Sequence, residues 1–512
     1  MGNAVIAKRF EESDSIVATL VPRTNVASLH AVKKKILFVS PELADLIKVG
    51  GLGDVSASLP RALSNDHDVR VLIPGYRQVL ESGYPIKLVG QVPGHAALPP
   101  CRIGCMTLPD GLIVYVLLSA DLYDRDGTPY GDSLGRDWPD NHIRFARLGL
   151  AAAEIASGTA CINWCPELVH ANDWPAALTP AYMSWRGVST PSVFTIHNLA
   201  YQGLCGLECS PELGLPSSAC STEGMEFYGK LSFLKAGLVY SDHVTTVSAN
   251  YAREITTEEF GCGLEGMLQF KVRLNQLSGI PNGIDDSWDP LTDPHLVQGF
   301  DAFDLDARRA NTRHVEQMFD LEPGDGPLFA VVSRLVQQKG IDLTLEVADY
   351  IVARGGRIAM IGRGEEHLEE AVRELGRRHP GRVGVNVGFN EADARCMFAG
   401  SDFLLMPSRF EPCGLSQMYA QCFGSLPIAR ATGGLTDTIE DGVTGFLFPE
   451  ANAQSYREAI DRALAIFGTP ELLNAMRSRA MANPLYWRQS VQPYAALYRS
   501  LMAAHQVRGI LA

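Results

Sequence analysis

Residues Lys35–Ser40, KILFVS, followed after a short gap by Lys48–Val55, KVGGLGDV, carry the reading on which the fold turns. A short apolar run gives way to a loop in which Gly50, Gly51 and Gly53 fall close together, and the segment from Asp54, DVSASLPRAL, reads as a helix. Strand, glycine turn and helix in that order form one winding of an α/β layer.

The unit repeats along the chain. DVRVLIP (68–74), LIVYVLLS (112–119), ELVHAND (167–173), SVFTIHN (192–198) and HVTTVSA (243–249) alternate with longer helical patterns in the first half. A second series opens with LFAVVSRL at Leu328 and continues through RIAMIG, VGVNVGF, DFLLMPS, SLPIAR and GFLFP. Such alternation predicts parallel sheets covered by helices on both faces, so the expected class is α/β with two doubly wound, Rossmann-like domains. GIPNGIDDSWDPLTDP (279–294), dense in Pro, Asp, Gly and Asn, suits a crossing between domains and places a hinge near residues 279–290. The expected organisation is an extension over 1–34, a first domain over 35–280, a second over 281–488 and a closing helical stretch over 489–512. Ligands of open α/β sheets sit beyond the carboxyl ends of the strands, so two such sheets facing one another make an interdomain cleft.

Composition narrows the class further. With 512 residues, 46% hydrophobic and 20% charged, the chain is long enough for two or three packed cores and is neither membrane-like nor disordered. A net charge of −14 argues against nucleic-acid binding, which needs clustered Lys and Arg, and Lys33-Lys34-Lys35 reads as a solvated flank. Eleven cysteines, several inside apolar runs, form no disulfide framework and point to a reducing, cytoplasmic setting. Three pairs share a four-residue offset (Cys101/Cys105, Cys161/Cys165, Cys205/Cys209), wider than zinc knuckles use, so no metal site is expected. No run of 18 apolar residues is present, and the first 34 residues have neither a signal-peptide core nor the acid-poor character of a transit peptide, so no membrane association is expected. That leading segment reads as a poorly ordered extension or a misassigned start.

Charged and glycine-rich residues follow the strands. Gly50 and Gly51 let backbone approach a ligand, a helix N-terminus favours phosphate, and Lys48 adds a full charge; by spacing alone, a phosphate cradle and an ordinary strand-to-helix turn stand level. Arg334 and Lys339, in SRLVQQKG, pair a forked guanidinium with a point charge, which suits a diphosphate. Glu411 follows DFLLMPS, where an acid can act as base, charge stabiliser or sugar-hydroxyl acceptor, or can merely favour the next helix start. Gly433-Gly434 repeats the design of Gly50-Gly51 and could offer backbone N–H groups to a phosphate or sugar. VHANDW (169–174) and FTIHNLAYQG (194–203) each end an apolar strand with a histidine and polar partners.

Taken together, these segments resemble the bacterial glycogen synthases and plant starch synthases. The match runs through nearly the whole chain after residue 35, on KVGGLGDV, PYGD, HANDW, FTIHNLAYQG, SFLKAGLVYSDHVTTVSANYAREI, PNGID, SRLVQQKGIDL and SRFEPCGLSQMYAQCFGSLPIARATGGLTDT, in family order. The resemblance implies a retaining glucosyltransferase of GT-B form, moving glucose from ADP-glucose to the 4-hydroxyl at the nonreducing end of glycogen or another α-1,4-glucan. Neither a metal nor pyridoxal phosphate is implied. On that resemblance Arg334 and Lys339 would meet the leaving diphosphate, Lys48, Gly50 and Gly51 would close on it from the opposite domain, Glu411 would contact the transferred glucose as the candidate essential acid, and His197 would lie beside the sugar with its backbone carbonyl near the anomeric centre. Asp173 and Asn198 look like glucose-hydroxyl ligands and Asn282 also faces the sugar. By the same resemblance Tyr130 of PYGD would stack near the adenine, Cys413, Gly414, Leu415, Thr432, Gly433 and Gly434 would bind substrate, and Asp54 would either cap its helix or touch the acceptor. The closing helix, as in the family, crosses back onto the first domain.

Three positions depart from related patterns. Tyr419 stands eight residues after Glu411 where many retaining transferases of this architecture carry a second glutamate; the synthases share the difference. Asn172 and Pro175 replace histidines of a common bacterial HAHDWH motif, a change expected to touch surface or acceptor-side details. A retaining glycosidase sets two carboxylates about 5 Å apart; no obvious second carboxylate is present, which favours a front-face, ion-pair-like displacement. UDP-glucose use, a catalytically silent glucan-binding protein and a pyridoxal-dependent phosphorylase are the competing readings. Silence predicts loss of some of Lys48, His197, Arg334, Lys339 and Glu411, and all five are present.

Overall fold

The computed structural model describes residues 33–511, so the expectation for the leading extension lies outside the described residues. The first half contains β1 (Lys34–Val39), β2 (His67–Pro74), β3 (Lys87–Val92), β4 (Cys101–Thr107), β5 (Ile113–Leu118), β6 (Leu168–Asn172), β7 (Ser192–Ile196), β8 (Leu204–Gly206), β9 (Glu226–Phe227), β10 (Lys230–Ser232), β11 (His243–Thr246) and β12 (Leu277–Gly279). The second half contains β13 (Leu328–Val332), β14 (Arg357–Gly362), β15 (Val383–Val387), β16 (Phe403–Met406), β17 (Leu426–Arg430) and β18 (Phe446–Phe448).

Nine strands form the first sheet in the order β12-β11-β7-β6-β1-β2-β5-β4-β3, and six form the second in the order β15-β14-β13-β16-β17-β18. From β12 to β5 every pairing is parallel, as is every pairing in the second sheet. Parallel strands are covered on both faces, which is why Ile36–Val39 and Leu328–Val332 read as unbroken apolar runs and are buried throughout. The edge differs from expectation: β3 and β4 add antiparallel to β5. Their Gly90 and Gly104 break the apolar pattern, and β3 is largely exposed, so periodicity does not single them out. β8, β9 and β10 make a further small antiparallel sheet.

In each sheet the strand order reverses beside the first strand of the series, between β1 and β6 and between β13 and β16. A crevice opens at such a reversal. The loops after β1, β6, β13 and β16 carry Lys48, Asp173, Lys339 and Glu411, so topology alone gathers the charged candidates at two crevices.

The chain crosses between the sheets twice, side by side. Ile284 N donates to Leu485 O at 2.9 Å and Trp487 N to Ile284 O at 3.2 Å. After the second crossing the helix Trp487–Leu511 returns to the first sheet, where Val491, Tyr494, Tyr498 and Met502 join its hydrophobic core. Tyr494 and Tyr498 are fully buried; at ~25 cal/mol per Å² over roughly 150–250 Å² each, such side chains contribute on the order of 4–6 kcal/mol apiece before ordering costs. No helix among the described residues is long and apolar enough to cross a membrane.

Candidate active site

The helix after β1 is Gly51–Leu63, three residues earlier than the sequence suggests, with Gly50 at its N-cap. Gly50 has no side chain to cap with, and a Cβ there would meet nothing within 4 Å. The space beside Gly50 is thus not filled by any described residue, as a close ligand approach requires. Asp54 does not cap: it lies in the first turn and pairs with Lys48, Nζ to Oδ1 2.7 Å. Lys48 also reaches Glu391 on the other lobe at 3.6 Å. Burial raises the Asp54 carboxyl, opposed by Lys48, while Glu391 and Asp285 add to the rise.

Glu42, which the sequence reading passed over, organises this loop. It is 2% exposed and accepts from Val49 N (2.7 Å), Gly50 N (3.2 Å) and the Tyr130 hydroxyl. Two loop N–H groups are therefore already occupied. Burial raises the Glu42 carboxyl against these hydrogen bonds. The signal was an acid placed directly after a strand in SPELAD. Tyr130 is tied to it in the first lobe, its ring 6.1 Å from Phe145 and 6.3 Å from Trp174.

At the end of β6, Asp173 is buried with φ +58, and among the described residues its carboxylate accepts only from Trp174 N at 2.9 Å. Burial pushes its pKa to about 8, so it holds its proton at neutral pH. At the end of β7, burial lowers His197 to about 3, leaving a neutral imidazole whose Nε2 lies 3.1 Å from Asn172 Oδ1. Asn172 is fully buried, so its change from histidine is not a surface one. Asn198 Oδ1 is turned onto Ala200 N at 3.1 Å.

On the second lobe the helix Ile341–Ala353 starts at Gly340, whose φ is +65 and whose Cβ would stand 2.0 Å from Pro407 O. Only glycine lets this turn cross the end of β16. The crossing sets Lys339 Nζ 2.5 Å from Glu411 Oε2, with Ser408 Oγ donating to the same oxygen at 3.0 Å. Arg409 clamps the two loops, donating to Asp342 through both guanidinium ends and through its N–H to Gln338 O. Glu411 is 5% exposed, so this pair is a buried one. Arg334 is exposed; it contacts Gln338 at 3.3 Å and, across the cleft, the Tyr201 hydroxyl at 3.4 Å.

Gly433 and Gly434 do not offer free N–H groups. Gly433 N donates to Glu254 Oε1 of the first lobe at 2.8 Å, and Gly434 N to Glu411 O at 3.0 Å. With φ +45 and a would-be Cβ 1.9 Å from Glu411 O, Gly433 exists to let the Glu411 loop pass. Thr432 also donates to Glu254, at 3.2 Å, while Asp437 accepts from Ser248 Oγ (2.6 Å) and Asn250 N (3.0 Å). Each lobe thus lends a carboxylate to the other. Neither Glu254 nor Asp437 was singled out from sequence, since their partners lie 179 and 189 residues away.

Cys413 is buried, and burial raises its thiol to about 12. The Oδ1 of Asn282 is buried with no partner among the described residues, an acceptor available to a ligand. Gly414, at φ +71, turns the chain before Leu415, whose Cδ1 would lie 3.4 Å from a Cβ on Gly51 of the opposite lobe. Tyr419 stacks on Trp288 with centroids 3.5 Å apart, filling with aromatic packing the place of a second acid. The cleft gathers no metal-ligand cluster among the described residues; the one such group, His142, Cys209 and Glu212, belongs to the first lobe outside it.

Residues 35–270 match the starch synthase catalytic domain and residues 315–481 the glycosyl transferases group 1. The chain is 67% identical over 475 residues to a glycogen synthase of Pseudomonas putida, covering 93% of this chain and 92% of that one. It is 65% identical over 480 residues to a glycogen synthase of Pseudomonas aeruginosa, with 93% and 94% covered. Among solved structures it is similar to the catalytic domain of starch synthase IV from Arabidopsis thaliana bound to ADP and acarbose, at TM-score 0.82 and 29% identity over 92% of this chain and 100% of that one. A sucrose-phosphate synthase from Thermosynechococcus elongatus, at TM-score 0.57 and 17% identity over 92% and 100% of the two chains, shares the fold. With both sheets, both crevices and the acid between them accounted for, the chain belongs to the glycogen synthase family of GT-B glucosyltransferases.

Proposed function

We propose that the protein transfers glucose from ADP-glucose to the 4-hydroxyl at the nonreducing end of an α-1,4-glucan, retaining the anomeric configuration and releasing ADP. The observation that carries this reading is the buried Lys339–Glu411 pair at the second crevice, with Gly51 facing the Glu411 loop from the first. Support for the donor comes from the ADP held by the starch synthase relative, and for the acceptor from the glycogen synthase relatives.

As the glycosidic bond to the diphosphate breaks, negative charge grows on the leaving group, and stabilisation must come from cations already in place. Arg334 and Lys339 supply it from one lobe and Lys48 from the other; the reading needs no metal and no pyridoxal phosphate. Glu411 faces the opposite charge, the electron-poor anomeric carbon, while Lys339 is handed from carboxylate to phosphate. Asp173, protonated at neutral pH, is a poor nucleophile and a good donor to a sugar hydroxyl. That favours attack by the acceptor on the same face the diphosphate leaves.

The test is initial-rate kinetics with ADP-glucose and UDP-glucose on glycogen primer, with and without chelator, for the native chain and Glu411→Ala. Preference for ADP-glucose, indifference to chelator and an inactive, folded, ADP-binding variant are expected. Equal use of UDP-glucose overturns the donor assignment, loss of activity with chelator overturns the metal-free reading, and full turnover by the variant overturns the role of Glu411.

A further inference from the structure

Asn172 ends β6 with its side chain fully buried. Its Nδ2 lies 3.2 Å from Val39 O and 3.4 Å from His170 O. A backbone carbonyl can only accept, so the amide nitrogen faces these two oxygens and Oδ1 is turned the other way, onto His197 Nε2 at 3.1 Å. An amide oxygen also can only accept, so the proton of His197 sits on Nε2. A neutral imidazole has one donor and one acceptor nitrogen, which makes Nδ1 the lone-pair side. Nδ1 has no hydrogen-bond partner among the described residues, and His197 is only partly buried.

We infer that Asn172 is a positioning residue that locks His197 in the Nε2–H tautomer, so that Nδ1 is presented as a hydrogen-bond acceptor to a hydroxyl of the transferred sugar. The role of Nδ1 rests on the glucosyl-transfer reading; the lock itself does not. Burial alone lowers His197, with no charged side chain contributing, so its charge is settled and the tautomer is the remaining variable. The neighbouring His170 is also held neutral, at about 3, first by burial and then by His197, between the hydroxyls of Tyr498 (2.6 Å) and Thr195 (2.5 Å). A histidine at position 172 could donate or accept and would leave the choice open; asparagine, oriented by two carbonyls, removes it.

The experiment is long-range ¹H–¹⁵N NMR on histidine-labelled protein, with His197→Gln identifying the signal among 12 histidines. The native chain is expected to show His197 as a non-titrating Nε2–H imidazole. Asn172→Leu, which cannot accept, is expected to show an Nδ1–H population and about a ten-fold lower kcat, the scale of one lost hydrogen bond to a reacting group, with KM for glycogen unchanged. Retention of both the Nε2–H signature and kcat in Asn172→Leu overturns the inference. Should that variant not fold, Asn172→Asp decides: a carboxylate facing Nε2 brings His197 into titration between about pH 5 and 8, and continued silence shows that Nε2 faces elsewhere. If neither native chain nor variants transfer glucose from ADP-glucose while the tautomer shifts as stated, the donor reading fails and the lock stands.

Discussion

Replacing Asp173 by asparagine is expected to stabilise the protein, by an amount set by pH. Asp173 is buried, accepts one hydrogen bond, and is pushed from an ordinary 3.8 to about 8 by burial. The folded chain therefore keeps a proton that the unfolded chain releases. Its contribution to stability is full below about pH 4 and is lost as pH rises toward 8, since the native state binds more protons throughout that window. Each unit costs about 1.4 kcal/mol, so at pH 7 the penalty is about 4 kcal/mol. Asparagine carries no such slope, keeps an amide oxygen for Trp174 N, and tolerates the positive φ as well as aspartate does. An unfolding entropy of about 2 cal/mol/K per residue over a chain of 512 residues converts the gain to a Tm rise of about 4 °C at pH 7. Thermal melts of both proteins from pH 4.5 to 8 read it directly: the gap should be near zero at the acid end and widen with pH. A gap that stays flat, or a variant that melts lower at pH 7, refutes the claim that Asp173 is neutral in the folded protein.

Gly433→Ala should lose both stability and activity, because its Cβ would stand 1.9 Å from Glu411 O at a φ of +45; a loss of about 3 kcal/mol or more by denaturant titration is expected, and a near-native midpoint with native kcat would count against it. Lys48→Ala should raise KM for the donor with little change in KM for glycogen, and the reverse pattern in initial rates would move Lys48 to the acceptor side. Glu254→Ala combined with Asp437→Ala removes the carboxylate each lobe lends the other, so the radius of gyration without ligand should increase; an unchanged scattering curve would mean the lobes are held by other contacts.

The sequence speaks clearly where a constraint is local and poorly where it is not. β1, β13 and β16 are legible because a parallel strand buried on both faces has to be apolar throughout. β3 and β4 are not, since an exposed edge tolerates glycines and charges. Lys48, Arg334, Lys339 and Glu411 stand out because they follow strands. What they touch does not stand out, because Lys339 meets Glu411 across 72 residues and Glu254 meets Gly433 across 179. Asn172 shows the same limit: as one letter in a motif it reads as a peripheral change, and only the carbonyls of Val39 and His170 reveal that its orientation is forced.

Those long-range contacts share one physical character. The groups suited to a diphosphate are met by the chain's own carboxylates: Glu42 on the N–H groups of Val49 and Gly50, Asp54 and Glu391 on Lys48, and Glu411 on Lys339. Arg334 is the exception, with no carboxylate partner among the described residues and only Gln338 and Tyr201 in contact. An exposed guanidinium held only by two long hydrogen bonds costs little to redirect, whereas Lys339 must leave a buried acid. The incoming diphosphate should therefore meet Arg334 first and exchange Lys339 from Glu411 second. On that order Arg334→Ala slows donor association and steepens no salt dependence, since the remaining cations are pre-neutralised. Lys339→Ala leaves the association rate near native and lowers kcat. Stopped-flow binding of ADP across ionic strength separates the two, and a native association rate in Arg334→Ala would reverse the order.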